Sequence, residues 1–81
     1  MEVTFVLNGR SMRLTRDQVD ACARQADPEP VRSHAAEVDG RLYPPKQIFA
    51  LATGLDRLDF TTMQARSQLL RLGYNVVRVG E

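Results

Sequence analysis

Two dipeptides, Asn8-Gly9 and Asp39-Gly40, constrain the fold of this chain more than any other feature. A two-residue hairpin turn needs positive φ at its centre, and Asn-Gly and Asp-Gly reach that conformation at little cost. Both are flanked by runs that read as strands. "VTFVL" leads into Asn8 and "SMRL" returns after Gly9, so Met1 to Leu14 forms one hairpin. Ser33 to Val38 leads into the second turn, and Arg41-Leu42-Tyr43 resumes after it.

Helices fill the intervals. Thr15 has the character of an N-cap, and Gln18 completes a capping box three residues later. The spacing predicts a helix from about Arg16 to Gln25, with Val19, Cys22, Ala23 and Ala26 on one face. "DPEP" ends it, because two prolines in so short a run cannot continue a helix. Pro44 and Pro45 fall where a second helix accepts proline, in its first turn. Ile48, Phe49, Leu51 and Ala52 give that helix its apolar face, and Gly54 ends it. After "LDRLDF", Thr61 or Thr62 caps a last helix that runs to about Leu72, with Gly73 past its end and "YNVVRV" closing as a strand. The expected fold is therefore one α+β domain over residues 1–81, small and winged-helix-like. It has three helices, two short hairpins and a C-terminal strand that shares a sheet with the second hairpin.

Composition narrows the function classes. Hydrophobic content of 43% and charged content of 26% suit a soluble globular chain. Cys22 is the sole cysteine, so no internal disulfide forms, and Cys22 with His34 makes no zinc pattern. These features, with no membrane-length apolar run and no signal-like N-terminus, point to the cytoplasm. The net charge is only +1, but its distribution is uneven. Ten of the eleven basic residues are arginine, and Glu81 is the only acidic residue after Phe60. Arg66, Arg71 and Arg78 thus make the C-terminal third locally basic.

Catalytic chemistry finds little support. His34 has no serine or cysteine partner at a recognisable spacing, and Asp56 and Asp59 sit where acids favour a helix N-terminus. There is no phosphate-binding glycine loop and no metal-ligand cluster, so neither an enzyme nor a cofactor is expected. The last helix is more informative. Ala65, Leu69 and Leu72 share the core-facing stripe, while Gln64, Ser67, Gln68 and Arg71 share the opposite one. Amides, a hydroxyl and a guanidinium without a carboxylate can read base edges, although a solvated helix face looks the same. Thr61 and Thr62 would offer hydroxyls and backbone amides to a phosphate. Met63 and Leu70 form a second apolar pair that either packs on the first hairpin or makes a homodimer contact. Lys46 is the single lysine, placed at a helix N-terminus where cations are unfavourable. A bound anion would relieve that conflict, with Tyr43-Pro44 beside it as a rigid apolar wall.

The run "VDGRLYPPKQIFALATGL" with "DFTTMQARSQLLRLGYNVV" carries a pattern of Gly40, Tyr43, Pro44, Pro45, Lys46, Ala52, Gly54, Phe60, Ala65, Leu69, Leu72, Gly73 and Tyr74. It resembles the N-terminal modules of McrA-type HNH endonucleases, which cut modified DNA, and short free-standing proteins that keep the reader without the nuclease. The resemblance implies a winged-helix-type domain that binds double-stranded DNA with a preference for 5-methylcytosine. No HNH nuclease accompanies it in these 81 residues, so it implies binding without cleavage.

The leading expectation is thus a non-catalytic reader of methylated DNA, nucleoid-associated, acting through the major groove. The expected contacts are Arg41 as a wing, Tyr43 with Pro44 or else Met63 at the methyl group, and Lys46, Thr61 and Thr62 at phosphate. Gln64, Arg66, Ser67 and Arg71 are expected on the reading helix. The other reading is a protein-interaction or regulatory module that uses Met63, Leu70 and the exposed strands.

Overall fold

The computed structural model describes residues 1–79. Strands β1 (Glu2–Leu7) and β2 (Arg10–Thr15) form an antiparallel hairpin with Phe5 opposite Met12. Asn8 (φ 52°) and Gly9 (φ 77°) both take the left-handed conformation that the tight turn requires. Alternation puts Val3, Phe5 and Leu7 in the core and Glu2, Thr4 and Val6 outside. Helix α1 (Arg16–Gln25) follows at once. The Thr15 side chain accepts from the Gln18 amide, and the Gln18 side chain accepts from the Thr15 amide, completing the capping box.

Strands β3 (His34–Val38) and β4 (Arg41–Tyr43) make the second hairpin through Asp39 and Gly40. Helix α2 (Pro45–Thr53) starts directly after it and ends at Gly54, whose φ of 76° closes the last turn. A short 3-10 turn (Arg57–Asp59) leads to helix α3 (Thr62–Arg71), capped by a second box between Thr61 and Gln64. Strand β5 (Asn75–Arg78) then pairs antiparallel with the free side of β3, giving the sheet order β4-β3-β5. The result is the expected small α+β domain: three helices and five strands in two small sheets, with α2 and α3 between the second hairpin and the strand that completes its sheet.

An aromatic cluster marks the centre of the core. Phe49 of α2 lies 5.7 Å from Phe5 and 4.8 Å, edge-on, from Phe60. Leu14 of the first hairpin, Val38 of the second, Val19 of α1, Ile48 of α2 and Leu69 of α3 belong to the same core cluster. One apolar expectation is corrected. Leu51 is 48% exposed, because the buried stripe of α2 centres on Pro45, Ile48 and Phe49 and leaves Leu51 at its border. Met63 and Leu70 are 54% and 41% exposed. They lie on the far side of α3 from Ala65 and Leu69.

Polar ties hold the chain ends of these elements. Gln47 is the one buried polar side chain described, and it fastens the loop after α1. Its Nε2 donates to the Asp27 carbonyl at 2.8 Å, and its Oε1 accepts from the Glu29 amide at 2.9 Å. Tyr74, just before β5, locks α3 onto α1. Its hydroxyl donates to the Asp20 carboxylate at 2.5 Å, while the Arg16 guanidinium lies 4.3 Å from its ring and donates to the Leu72 carbonyl.

Burial first, and then the Asp20 carboxylate, push the Tyr74 phenol well above its ordinary value. A raised folded-state value means that stability is full below the unfolded phenol's range, about pH 10, and is lost as pH climbs beyond it. The thermal midpoint is therefore expected to fall above about pH 10, and Tyr74→Phe to flatten that fall. An equally steep alkaline limb in the variant would show that the Asp20 contact does not hold the phenolic proton.

Candidate nucleic-acid interface

A groove of about 240 Å³ opens where the first turns of α2 and α3 meet the start of β3. Its apolar sides are Pro30, Pro44 and Pro45. Its polar lining is Arg32, Ser33 and His34 from the approach to β3, Lys46 from α2 and Thr62 from α3, with Glu29 at the rim. Because proline carries no N–H, Pro44 and Pro45 remove two backbone donors from the start of α2. The positive character there therefore comes from the Lys46 side chain rather than from a row of free amides. Lys46 is half-buried, and its Nζ stands 5.4 Å from the centre of the Phe60 ring, which partly offsets the unfavourable helix field.

Charge balance makes the groove cationic. Neither Arg32 nor Lys46 forms a salt bridge among the described residues. Glu29 is engaged elsewhere: both its oxygens accept from Arg57, at 2.8 and 2.7 Å. That bidentate contact, acting chiefly through its hydrogen bonds, holds the Glu29 carboxyl below the usual carboxylate range. The carboxylate stays ionised and paired until pH falls through that lowered value.

The expected site residues divide into three groups. Pro44, Lys46 and Thr62 come together in the groove. On the outward side of α3, Gln64 and Ser67 are exposed, and so is Arg71, although its Nη1 donates to the Gln68 amide oxygen and to the Thr4 carbonyl. Thr61 is exposed but occupied as the N-cap, with Gln64 returning the contact. Arg66 lies one turn beyond Thr62 on the same side of α3, half-buried, its Nε enclosed without a hydrogen-bond partner.

Arg41 and Tyr43 belong to neither surface, which corrects two expectations. Tyr43 is 0% exposed, and its hydroxyl donates to the Ala23 carbonyl at 2.7 Å. It cannot meet a methyl group on DNA. Arg41 does not project as a wing: its guanidinium donates to the same carbonyl at 2.7 Å and lies 5.4 Å from the Tyr43 ring. Together they donate to the Ala23 and Ala26 carbonyls at the end of α1, adding to the single cap bond from the Ala26 amide. Conversely, Arg32, Ser33 and His34 join the site without having been singled out for it. Their one sequence signal is a basic and hydroxyl-bearing run just after the prolines.

Fold and groove together define a small α+β domain with a cation-lined cleft between two helix N-termini. The chain belongs to the SCO5918-like family, whose model matches residues 5–81. No curated protein and no solved structure matches it.

Proposed function

We propose that this domain is a non-catalytic DNA-binding module, a reader of 5-methylcytosine in double-stranded DNA that works in the cytoplasm at the nucleoid. The observation that carries the reading is a pair of cations, Arg32 and Lys46, without a salt bridge among the described residues and lining a groove beside the first residue of α3. A recognition helix commonly enters the major groove with its N-terminal turn near the backbone. In that pose the groove residues take a phosphate, while Ser67, Gln64 and Arg71 face base edges. The preference for methylated cytosine rests on the likeness to readers of modified DNA. With Tyr43 buried, the apolar contact to the methyl group falls to Met63, which is exposed on α3. No cofactor or metal enters this reading.

A polarisation titration tests it, with matched duplexes carrying cytosine or 5-methylcytosine at about 50 and 200 mM salt. Tighter binding of the methylated duplex, weakening steeply at the higher salt, is expected. Equal binding of the two would keep the DNA and discard the methyl preference, and no binding of either would remove the reading altogether. A protein-interaction module is the second reading, and the exposed Met63 and Leu70 favour it. A homodimer through that pair would appear as a doubled mass in sedimentation.

A further inference from the structure

We infer that the groove is a cleft for a phosphate group whose charge is set by a residue on its outer side, Arg57. By occupying Glu29, the one carboxylate at the rim among the described residues, Arg57 leaves Arg32 and Lys46 to the incoming anion. The inference deepens the DNA reading and rests on it only for the source of the phosphate.

The loop between α1 and β3 forms one side of the cleft, and Glu29 is held at two points within it. Glu29 is held at its backbone, where its amide donates to the buried Gln47 side chain. It is held again at its carboxylate, where Arg57 reaches across from the 3-10 turn with two parallel hydrogen bonds. Pro28 and Pro30 restrict the backbone on either side. Glu29 is thus anchored beside the cations of the cleft while its charge is drawn outward. Remove Arg57 and the same anchored carboxylate faces Arg32 and Lys46, competing with any ligand anion for them.

The donor set fits a phosphate better than a flat carboxylate. A guanidinium, an ammonium and the hydroxyls of Ser33 and Thr62 approach from three segments of the chain, and a tetrahedral oxyanion presents acceptors in several directions. About 240 Å³ accommodates one such group with part of what carries it. The same chemistry could come from a duplex backbone or from free phosphate, so the test uses both.

Wild type, Arg57→Ala, Glu29→Gln and the double variant are titrated with inorganic phosphate, followed by backbone amide shifts, and with the methylated duplex, followed by polarisation. Both substitutions lie at exposed side chains, and circular dichroism checks that the fold is kept in all three variants. Shifts at Ser33, Lys46 and Thr62 are expected with phosphate. Arg57→Ala should weaken binding about two- to fivefold, the range for one exposed charge contact. Glu29→Gln should abolish that loss, bringing the double variant back to at least wild-type affinity. If Arg57→Ala loses the same factor with glutamine at position 29, Arg57 acts on the anion directly and the inference is overturned. Unshifted groove amides would also overturn it, and duplex binding in that case leaves the DNA reading standing. The reverse result, a phosphate response obeying the cycle without duplex binding, keeps the cleft and removes DNA as its source.

Discussion

Tyr43→Ala is expected to remove about 3–5 kcal/mol of stability, the range for deleting a large buried aromatic side chain. A domain of 81 residues holds roughly 4–12 kcal/mol in all, so this single change leaves it at or near the unfolding threshold. The size follows from position. Tyr43 ends β4, opposite Ala36 of the central strand, and its ring is wholly enclosed. Its hydroxyl donates to the Ala23 carbonyl at the end of α1, which otherwise accepts a long 3.4 Å bond from the Ala26 amide and one from Arg41. Tyr43→Phe separates the two contributions. It keeps the ring and costs about 1–3 kcal/mol for a buried acceptor that loses a donor, softened here because Arg41 donates to the same oxygen. Urea unfolding measures both variants. A Tyr43→Ala midpoint close to wild type would refute the packing account. Tyr43→Phe should leave duplex affinity unchanged, and a selective loss of methyl preference in that variant would restore the ring to the recognition surface.

Tyr43 also shows where reading the sequence stops. The turns at Asn8-Gly9 and Asp39-Gly40, the boxes at Thr15 and Thr61, and the stop at Gly54 were all legible, because each is decided by contacts within about five residues. The inward stripe of α3 was legible for the same reason, since helical spacing alone puts Ala65, Leu69 and Leu72 together. Whether Tyr43 faces solvent or core is settled by α1, twenty residues earlier, whose last carbonyls it covers. Nothing local in "RLYPPK" carries that fact. The same holds for Arg41, whose place after a hairpin turn suggested a wing, while its guanidinium in fact lies against the end of α1.

The groove is the clearest case. Lys46 stood out by its own awkward position at a helix start, and Thr62 by its place beside a cap. Arg32, Ser33 and His34 reach them only because β3 is the central strand, which brings its first residue against both helix N-termini. Strand order is a property of the whole sheet, and β5, which fixes β3 at the centre, comes last in the chain. Met63 and Leu70 differ again: their spacing gave a second apolar stripe, and how much of it is exposed depends on the packed structure, which leaves them 54% and 41% exposed.

Lys46→Met and Lys46→Glu should part stability from binding more sharply than any other pair of substitutions in this domain. The lysine sits where the helix field disfavours a cation by about 0.3–1 kcal/mol, and its contact with the Phe60 ring returns a similar amount. Methionine keeps the apolar stem against Phe60 and removes both charge effects, so the urea midpoint should barely move. Glutamate places a negative charge at a helix N-terminus, where it is favourable, and should be tolerated equally well. Duplex binding should respond in the opposite way. Losing one phosphate contact is expected to lower the slope of log affinity against log salt by about 0.9 and to weaken binding roughly tenfold at low salt. Charge reversal turns the residue against the phosphate and toward Arg32, so Lys46→Glu should weaken binding by about a hundredfold or more. Polarisation across a salt series reads both numbers. If the two variants bind the duplex as wild type does, the cation at the start of α2 has no anion to meet, and the interface must lie on another face of the domain. If they bind weakly yet unfold at the wild-type midpoint, then a residue that folding alone would not place at that helix start is kept there by its ligand.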